Sequence, residues 1–133
     1  MTAVDTNVVV RFLTRDDANQ FQQAVALFDR ETIHSPDTVW LETEWVLRYA
    51  YGYDASAVVT AFHGLLGLPQ VRVTDAALLM RAIEWHGAGL DFADALHLAS
   101  SQDMDILATF DKAFARKSSN LGACRVVDLA DTV

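Results

Sequence analysis

Short apolar runs alternate with longer segments of helical periodicity along almost the whole chain, and this alternation constrains the fold more than any other feature. The short runs predict strands at Ala3-Val4, Thr32-Ile33-His34, Val71-Val73, Ile106-Leu107-Ala108 and Val126-Val127. The longer segments predict helices over Asn19 to Arg30, Pro36 to Tyr51, Ala55 to Leu66, Asp75 to Trp85 and Phe92 to Ser101. Strands that alternate with helices are typical of α/β proteins. We expect a three-layer α/β/α sandwich with a central parallel sheet.

Local signals mark some of the helix ends. Ser35-Pro36-Asp37 predicts a helix start, with the serine as N-cap, the proline at the first helical position and an acid in the first turn. Gly87 and Gly89 predict a helix end after Trp85. The weakest helix start is at Val8-Val9-Val10, because β-branched residues favour strands.

The size and composition favour one globular domain over residues 1–133. With 133 residues, 52% of them hydrophobic, the chain is long enough for a single core. No apolar stretch approaches the roughly 18 residues of a membrane span, and the start MTAVDTN lacks the pattern of an export signal. Cys124 is the only cysteine, which excludes an internal disulfide. We expect a cytoplasmic protein without a membrane partner.

The formal net charge of −8 argues against avid binding of long duplexes, because phosphate-binding proteins usually carry a basic face. Two bound divalent cations would bring it to about −4. Basic residues that are candidates for phosphate contacts, against a default of solvated surface charge, are Arg11, Arg15, Arg48, Lys112, Arg116 and Lys117.

Several acids follow predicted strands or open predicted helices, where ligands gather in parallel α/β sheets. Asp5 follows the first strand, and Asp111 follows Ile106-Leu107-Ala108, which we expect to be buried. Asp91 and Asp94 open the helix predicted over Phe92 to Ser101. Helix capping is the alternative for these acids, and the positive helix end would lower the pKa of Asp94.

Two glutamates on the helix predicted over Pro36 to Tyr51 are expected to face opposite ways. Glu42 falls on a predicted apolar stripe with Val39, Val46, Tyr49 and Ala50, where an unpaired carboxylate would be costly. We therefore expect Glu42 to have a function.

Glu44 is predicted to point toward solvent and to pair with Arg48, four residues later.

An acidic constellation without adjacent His or Cys favours Mg²⁺ or Mn²⁺ over zinc. One or two such ions would promote displacement at a phosphodiester. His97, on the same helix as Asp94, is expected to be a packing residue, and Trp40, Trp45 and Trp85 are expected to fill cores or interfaces.

Four segments carry a resemblance to a known family: VDTNVVVRFL, LETEWVLR, LDFADALHLAS and LATFDKAF. In order and spacing, over nearly the whole chain, they resemble PIN-domain proteins, especially the VapC-like toxin ribonucleases of toxin-antitoxin pairs. The resemblance implies a PIN-like α/β/α fold, a divalent metal site, endonucleolytic cleavage of RNA, a homodimer and an antitoxin protein as partner. It places the metal-binding and catalytic acids at Asp5, Glu42, Asp94 and Asp111, and supporting roles at Asn7, Thr109 and Asp91.

Two other functions stay open on the sequence alone. A phosphoacceptor switch of the receiver type also clusters acids at strand ends, but it needs a lysine after a late strand, whereas Lys112 follows Asp111 directly. A catalytically silent PIN-like module for protein interaction is the other alternative, because metal affinity depends on sub-ångström placement.

Overall fold

The computed structural model describes residues 1–131, which contain seven α-helices, five β-strands and a 3₁₀ turn. The strands are β1 (Thr2–Ala3), β2 (Ile33–His34), β3 (Val71–Arg72), β4 (Ile106–Thr109) and β5 (Arg125–Asp128). The helices are α1 (Thr6–Thr14), α2 (Ala18–Arg30), α3 (Asp37–Tyr51), α4 (Ala55–Leu66), α5 (Ala76–Gly87), α6 (Phe92–Ala99) and α7 (Lys112–Lys117). Within these residues, no helix has the length and apolar character that would let it cross a membrane.

The chain forms two compact units, the first from Met1 to Ala76 and the second from Ala77 onward. In the first unit, β1, β2 and β3 form a parallel sheet in that order. In the second unit, β4 and β5 pair in parallel. Helices connect the parallel strands, so the predicted α/β class with parallel strands is confirmed. The prediction of one domain over residues 1–133 stays a prediction, and its last two residues lie outside the described part.

The core of the first unit is built on aromatic side chains. Trp40 and Phe62 are buried and meet edge to face, with ring centroids 5.0 Å apart. Phe28 is buried and stacks on Phe12 at 4.3 Å. Burying a side chain of this size contributes on the order of 2 kcal/mol. The packing of α1 to α4 in this unit therefore rests on these rings.

In the second unit the largest fully buried side chains come from α5 and α6 and are mostly aliphatic. They include Leu79, Ile83 and Leu98, together with Phe92 at the start of α6. The ring of Phe92 meets the ring of His86 edge to face, with centroids 5.5 Å apart. His86 is itself held by a 2.8 Å hydrogen bond between its Nδ1 and the Leu90 carbonyl oxygen.

Two helix starts differ from the simplest sequence rules. Val8, Val9 and Val10 lie inside α1, because burial of the last two outweighs their β preference. The predicted N-cap at Ser35 is wrong: Pro36 takes that position without a side-chain cap, and α3 begins at Asp37. The Ser35 N–H instead donates to the Arg72 carbonyl oxygen at 3.0 Å, which continues the pairing of β2 with β3.

The predicted burial of Ile106-Leu107-Ala108 is wrong, although the strand itself is confirmed as β4. Ile106 is 47% exposed, and Ala108, on the same face, is exposed too. Apolar residues in a short run do not reveal how many faces of a strand are covered.

A polar network ties the turn after α1 to the end of α3 in the first unit. The Arg11 guanidinium donates to Asp16 Oδ1 at 3.1 Å and to the Tyr51 hydroxyl at 3.1 Å. The Tyr51 hydroxyl donates to Asp16 Oδ2, and the Thr14 hydroxyl donates to Asp16 Oδ1 at 2.9 Å. The hydrogen bond from Tyr51, followed by those from Thr14 and the charge of Arg11, lowers the pKa of Asp16. The ionised carboxylate of Asp16 therefore stabilises the fold.

We expect Asp16→Asn to lower the urea midpoint of unfolding at pH 7, because the amide cannot accept all the bonds that the carboxylate accepts. Since the folded-state pKa of Asp16 lies below its unfolded value, this contribution is present at neutral pH and is lost as the pH falls through the folded pKa. The difference between variant and wild type should shrink toward about pH 3. Asp29→Asn, at an exposed acid of α2, is the control, and an equal effect there would contradict the assignment.

Candidate functional site

The acids that follow strands in this protein begin helices. Asp5 is the N-cap of α1 and accepts the Val8 N–H on Oδ1 at 3.3 Å. Asp111 is the N-cap of α7 and accepts the Phe114 N–H on Oδ1 at 3.0 Å. Capping, the structural alternative for these acids, is therefore confirmed. Each cap bond uses Oδ1, so capping and metal binding are chemically compatible roles for these carboxylates.

Asp5 and Asn7, both exposed, line a groove of about 450 Å³ in the first unit. The groove runs along α1 and α2. Its other lining residues are Val8, Arg11, Gln20, Gln23, Ala24, Leu27 and Arg30. This lining combines apolar side chains with amides and two arginines beside a candidate metal ligand. A volume of this size fits a small ligand or a short stretch of a larger one.

The predicted orientation of the two glutamates on α3 is wrong. Glu42 is exposed, and so are Tyr49 and Ala50 of the predicted apolar stripe. Glu44 is 1% exposed and lies on the face that α3 buries.

The predicted Glu44–Arg48 ion pair is confirmed, but Glu44 is its buried partner and does not point toward solvent as predicted. Arg48 Nε donates to Glu44 Oε2 at 2.8 Å and Arg48 Nη2 donates to Oε1 at 3.1 Å. The bidentate geometry satisfies both carboxylate oxygens, so Glu44 is a structural residue. Glu42 stands outside the buried face, with its carboxylate accessible.

Three carboxylates of the second unit act on one another. Asp91 is the N-cap of α6 and accepts the Asp94 N–H on Oδ2 at 3.3 Å. Partial burial raises the pKa of Asp94, and the negative charges of Asp91 and Asp111 raise it further. The expected lowering of this pKa by the helix end is therefore wrong, because burial and repulsion outweigh it.

The raised pKa means that the ionised form of Asp94 is disfavoured in the folded protein, and a bound cation would relieve that cost.

Two cationic groups moderate this repulsion. His97 and Lys117 lower the pKa of Asp94, against the larger effects of burial and of the other acids. His97 lies three residues after Asp94, one turn along α6, and Lys117 ends α7. From the sequence alone, His97 is placed on the helix of Asp94 but is expected to have a packing role, and Lys117 is only a candidate for phosphate contacts. The i, i+3 spacing is the signal for the effect of His97 on Asp94.

Thr109 supports Asp111 directly. Its hydroxyl oxygen accepts the Asp111 N–H at 3.0 Å, which fixes the turn between β4 and α7. The supporting role expected for Thr109 thus has a defined contact.

The donor set suits a hard divalent cation in its chemistry, since the candidate ligands supply carboxylate oxygens. Among residues 1–131, however, no three His, Cys, Asp or Glu side chains are grouped so that they could hold a metal ion. Asp91, Asp94 and Asp111 of the second unit interact through their charges. Asp5 and Glu42 belong to the first unit.

Comparison with known proteins identifies the family. A profile of the PIN domain matches residues 2–120, which is most of the chain. Neither the curated proteins nor the solved structures gave a match. The matched range includes all the acids discussed above, from Asp5 to Asp111. On this match, the chain belongs to the PIN domain family.

Proposed function

We propose that this protein is an endoribonuclease that depends on Mg²⁺ or Mn²⁺ and cleaves RNA phosphodiester bonds. PIN domains are generally metal-dependent nucleases. The observation that carries the proposal is the raised pKa of Asp94, which is caused first by partial burial and then by the negative charges of Asp91 and Asp111. Such a shift is typical of functional sites, where charges are arranged for a ligand and not for stability.

In this proposal Asp5, Glu42, Asp94 and Asp111 are the metal ligands and the catalytic residues. A bound divalent cation supplies positive charge that stabilises the phosphodiester oxygens during in-line displacement. Glu42 or Asp111 positions the attacking water and accepts its proton. Asn7 and Thr109 orient the neighbouring carboxylates, and Asp91 acts as an outer partner of Asp94.

The basic residues of α7 suit contacts to the RNA backbone. Lys112, Arg116 and Lys117 are all exposed and follow Asp111 directly along the chain. Lys117 already acts electrostatically on Asp94, so cationic charge and the acids share one region of the second unit. Contacts of this type position the substrate and do not read its sequence.

We further propose that the protein is the toxin of a toxin-antitoxin pair, acts as a homodimer in the cytoplasm and is blocked by a cognate antitoxin protein. The resemblance of its acidic segments to VapC-like toxins supports this role. The groove along α1 and α2, which combines apolar side chains with Asp5 and two arginines, offers a surface for such a partner.

The test compares Asp5→Asn with a matched variant. Asparagine is as good an N-cap as aspartate, so the exchange removes the charge and keeps the start of α1. We expect Mn²⁺ or Mg²⁺ to support cleavage of single-stranded RNA, EDTA to abolish it, and Asp5→Asn to reduce it at least about a hundredfold. Expression of the wild type should also arrest growth, and Asp5→Asn should relieve the arrest.

The matched control is Asp54→Asn, because Asp54 caps α4 through a 2.8 Å bond to the Ala57 N–H but is not a proposed ligand. It should cleave RNA as the wild type does. Undiminished cleavage by Asp5→Asn, or cleavage in EDTA, would contradict the proposal.

A further inference from the structure

Helix α3 carries an exposed aromatic pair, Trp45 and Tyr49, which we name the stacking platform. Trp45 is 57% exposed and Tyr49 is 64% exposed. Their ring centroids lie 4.9 Å apart with an interplanar angle of 47°. The other tryptophans, Trp40 and Trp85, are buried. Two large aromatic rings held side by side in solvent indicate a binding surface.

The Tyr49 ring of the platform is held by the Glu44–Arg48 ion pair of the same helix. The Arg48 guanidinium lies over the Tyr49 ring, 4.6 Å from its centroid, and Nη1 donates to the Tyr49 hydroxyl at 3.3 Å. The same guanidinium is held by both carboxylate oxygens of Glu44, which is almost inaccessible to solvent. A surface that is already ordered loses little conformational entropy when it binds a ligand.

The charge of this region offers little attraction for phosphate, so stacking is the main contact that the platform offers to a nucleic acid. The positive charge of Arg48 is paired with Glu44, and the whole chain carries a net charge of −8. Phosphate attraction is therefore weak at the platform. Proteins that hold single-stranded nucleic acid combine a positively charged surface with the stacking of bases on aromatic rings, and the platform would supply the second of these contacts.

The helix spacing places the platform on the face that carries Glu42. Residues 42, 45 and 49 are separated by three and four positions, so they lie within one stripe of α3. All three side chains are exposed. A base stacked on the rings would lie along the same exposed stripe as a carboxylate proposed to bind metal.

The area of the platform is too small for a stable contact between two copies of the chain. Two aromatic side chains exposed to this degree offer at most about 300 Å². A standard protein interface uses about 800 Å² on each partner. A small ligand such as a base matches the exposed area better than a second protein surface does.

We propose that Trp45 and Tyr49 stack on a base of single-stranded RNA and so position the strand beside Glu42. This inference rests on the proposed function, since it names how the substrate of that site is held.

The test measures binding without cleavage. A fluorescently labelled oligoadenylate of about twelve nucleotides is titrated with protein in EDTA, and anisotropy gives the affinity. We expect Trp45→Ala/Tyr49→Ala to bind about tenfold more weakly than the wild type, because stacking is lost. Trp45→Phe, which keeps a ring, should bind within about threefold of the wild type. The dependence of affinity on salt should not change, since no phosphate contact is removed.

Met104→Ala is the control, because Met104 is a 60% exposed apolar side chain outside the platform. It should bind as the wild type does. The inference is overturned if the wild type does not bind the oligonucleotide, if the double alanine variant binds equally well, or if Trp45→Phe binds as weakly as the alanine variant. Light scattering adds one more outcome. A lower molar mass for the double alanine variant than for the wild type would show that the platform is a contact between copies, and this would overturn the inference.

The two proposals fail in different ways. If the wild type binds RNA through the platform in EDTA but never cleaves it with Mn²⁺ or Mg²⁺, the nuclease proposal fails and the platform stands. If the wild type cleaves RNA while the alanine variant binds as well as the wild type, the platform fails and the nuclease proposal stands.

Discussion

Asp94→Asn should lose metal-dependent RNA cleavage and still be at least as stable as the wild type. Partial burial and the charges of Asp91 and Asp111 raise the pKa of Asp94, which means that its ionised form is unfavourable in the folded protein. The amide is neutral, so it relieves this repulsion. Losing a residue that only orients a metal ligand typically lowers activity by about 10- to 100-fold. Losing a proposed ligand itself should cost at least as much, so we expect cleavage to fall at least about a hundredfold. A stability gained by losing function is the usual trade-off at a strained site.

The measurement pairs a cleavage assay in Mn²⁺ with urea unfolding in EDTA. Asp103→Asn removes the same charge from an exposed turn of the second unit and should change neither quantity. Normal cleavage by Asp94→Asn would show that Asp94 is not part of the site. A variant that loses cleavage because it unfolds would show a lower urea midpoint, which contradicts the repulsion described above.

Arg48→Met should destabilise the fold by about 2–3 kcal/mol, because it leaves the carboxylate of Glu44 buried without its partner. The value is set below the roughly 3–5 kcal/mol of a fully buried pair, since the Arg48 side chain is 38% exposed and solvent reaches part of the guanidinium. Removing both charges should be better tolerated than removing one. Glu44→Leu/Arg48→Met is therefore expected to recover at least about half of the loss.

Urea unfolding of the two single variants and the double variant measures this coupling. Arg81→Met is the control, since the exposed Arg81 guanidinium only lies 5.9 Å from the Trp85 ring and should contribute within about 0.5 kcal/mol. If Arg48→Met changes stability no more than Arg81→Met does, the Glu44–Arg48 pair does not hold α3 in place.

The order of strands and helices could be predicted from the sequence because periodicity depends on local spacing. The bounds of α4 agree with the prediction, and the ends of the other predicted elements differ by at most two residues. Val8-Val9-Val10 shows where this reasoning weakens, since burial decides between a helix and a strand there. The exposed side of β4 could not be predicted, because a run of apolar residues does not state which neighbours cover it.

The prediction of which face of α3 is buried failed for a related reason. Apolar residues occur on more than one side of this helix, so the sequence offers two stripes that could be the buried one. The helix buries the one that contains Trp40, Thr43, Glu44 and Leu47, at the spacing i, i+3, i+4, i+7. The pairing of Glu44 with Arg48 was predictable from their spacing, whereas the burial of the pair depends on tertiary packing.

Some properties of the candidate acids were visible in the sequence and others required the structure. The helix starts at Asp5, Asp91 and Asp111 follow from local rules. The raised pKa of Asp94 does not follow from local rules. It depends on how far the side chain is buried and on the charge of Asp111, which starts another helix, in addition to that of Asp91.

The capping role of three aspartates also bears on how this protein can change over generations. At positions 5, 91 and 111 an asparagine would hold the helix start as well as the native residue does. On the proposed function, such an exchange would remove a carboxylate from the site and leave the architecture intact. An inert but correctly folded descendant would then differ from its active ancestor by one amino acid.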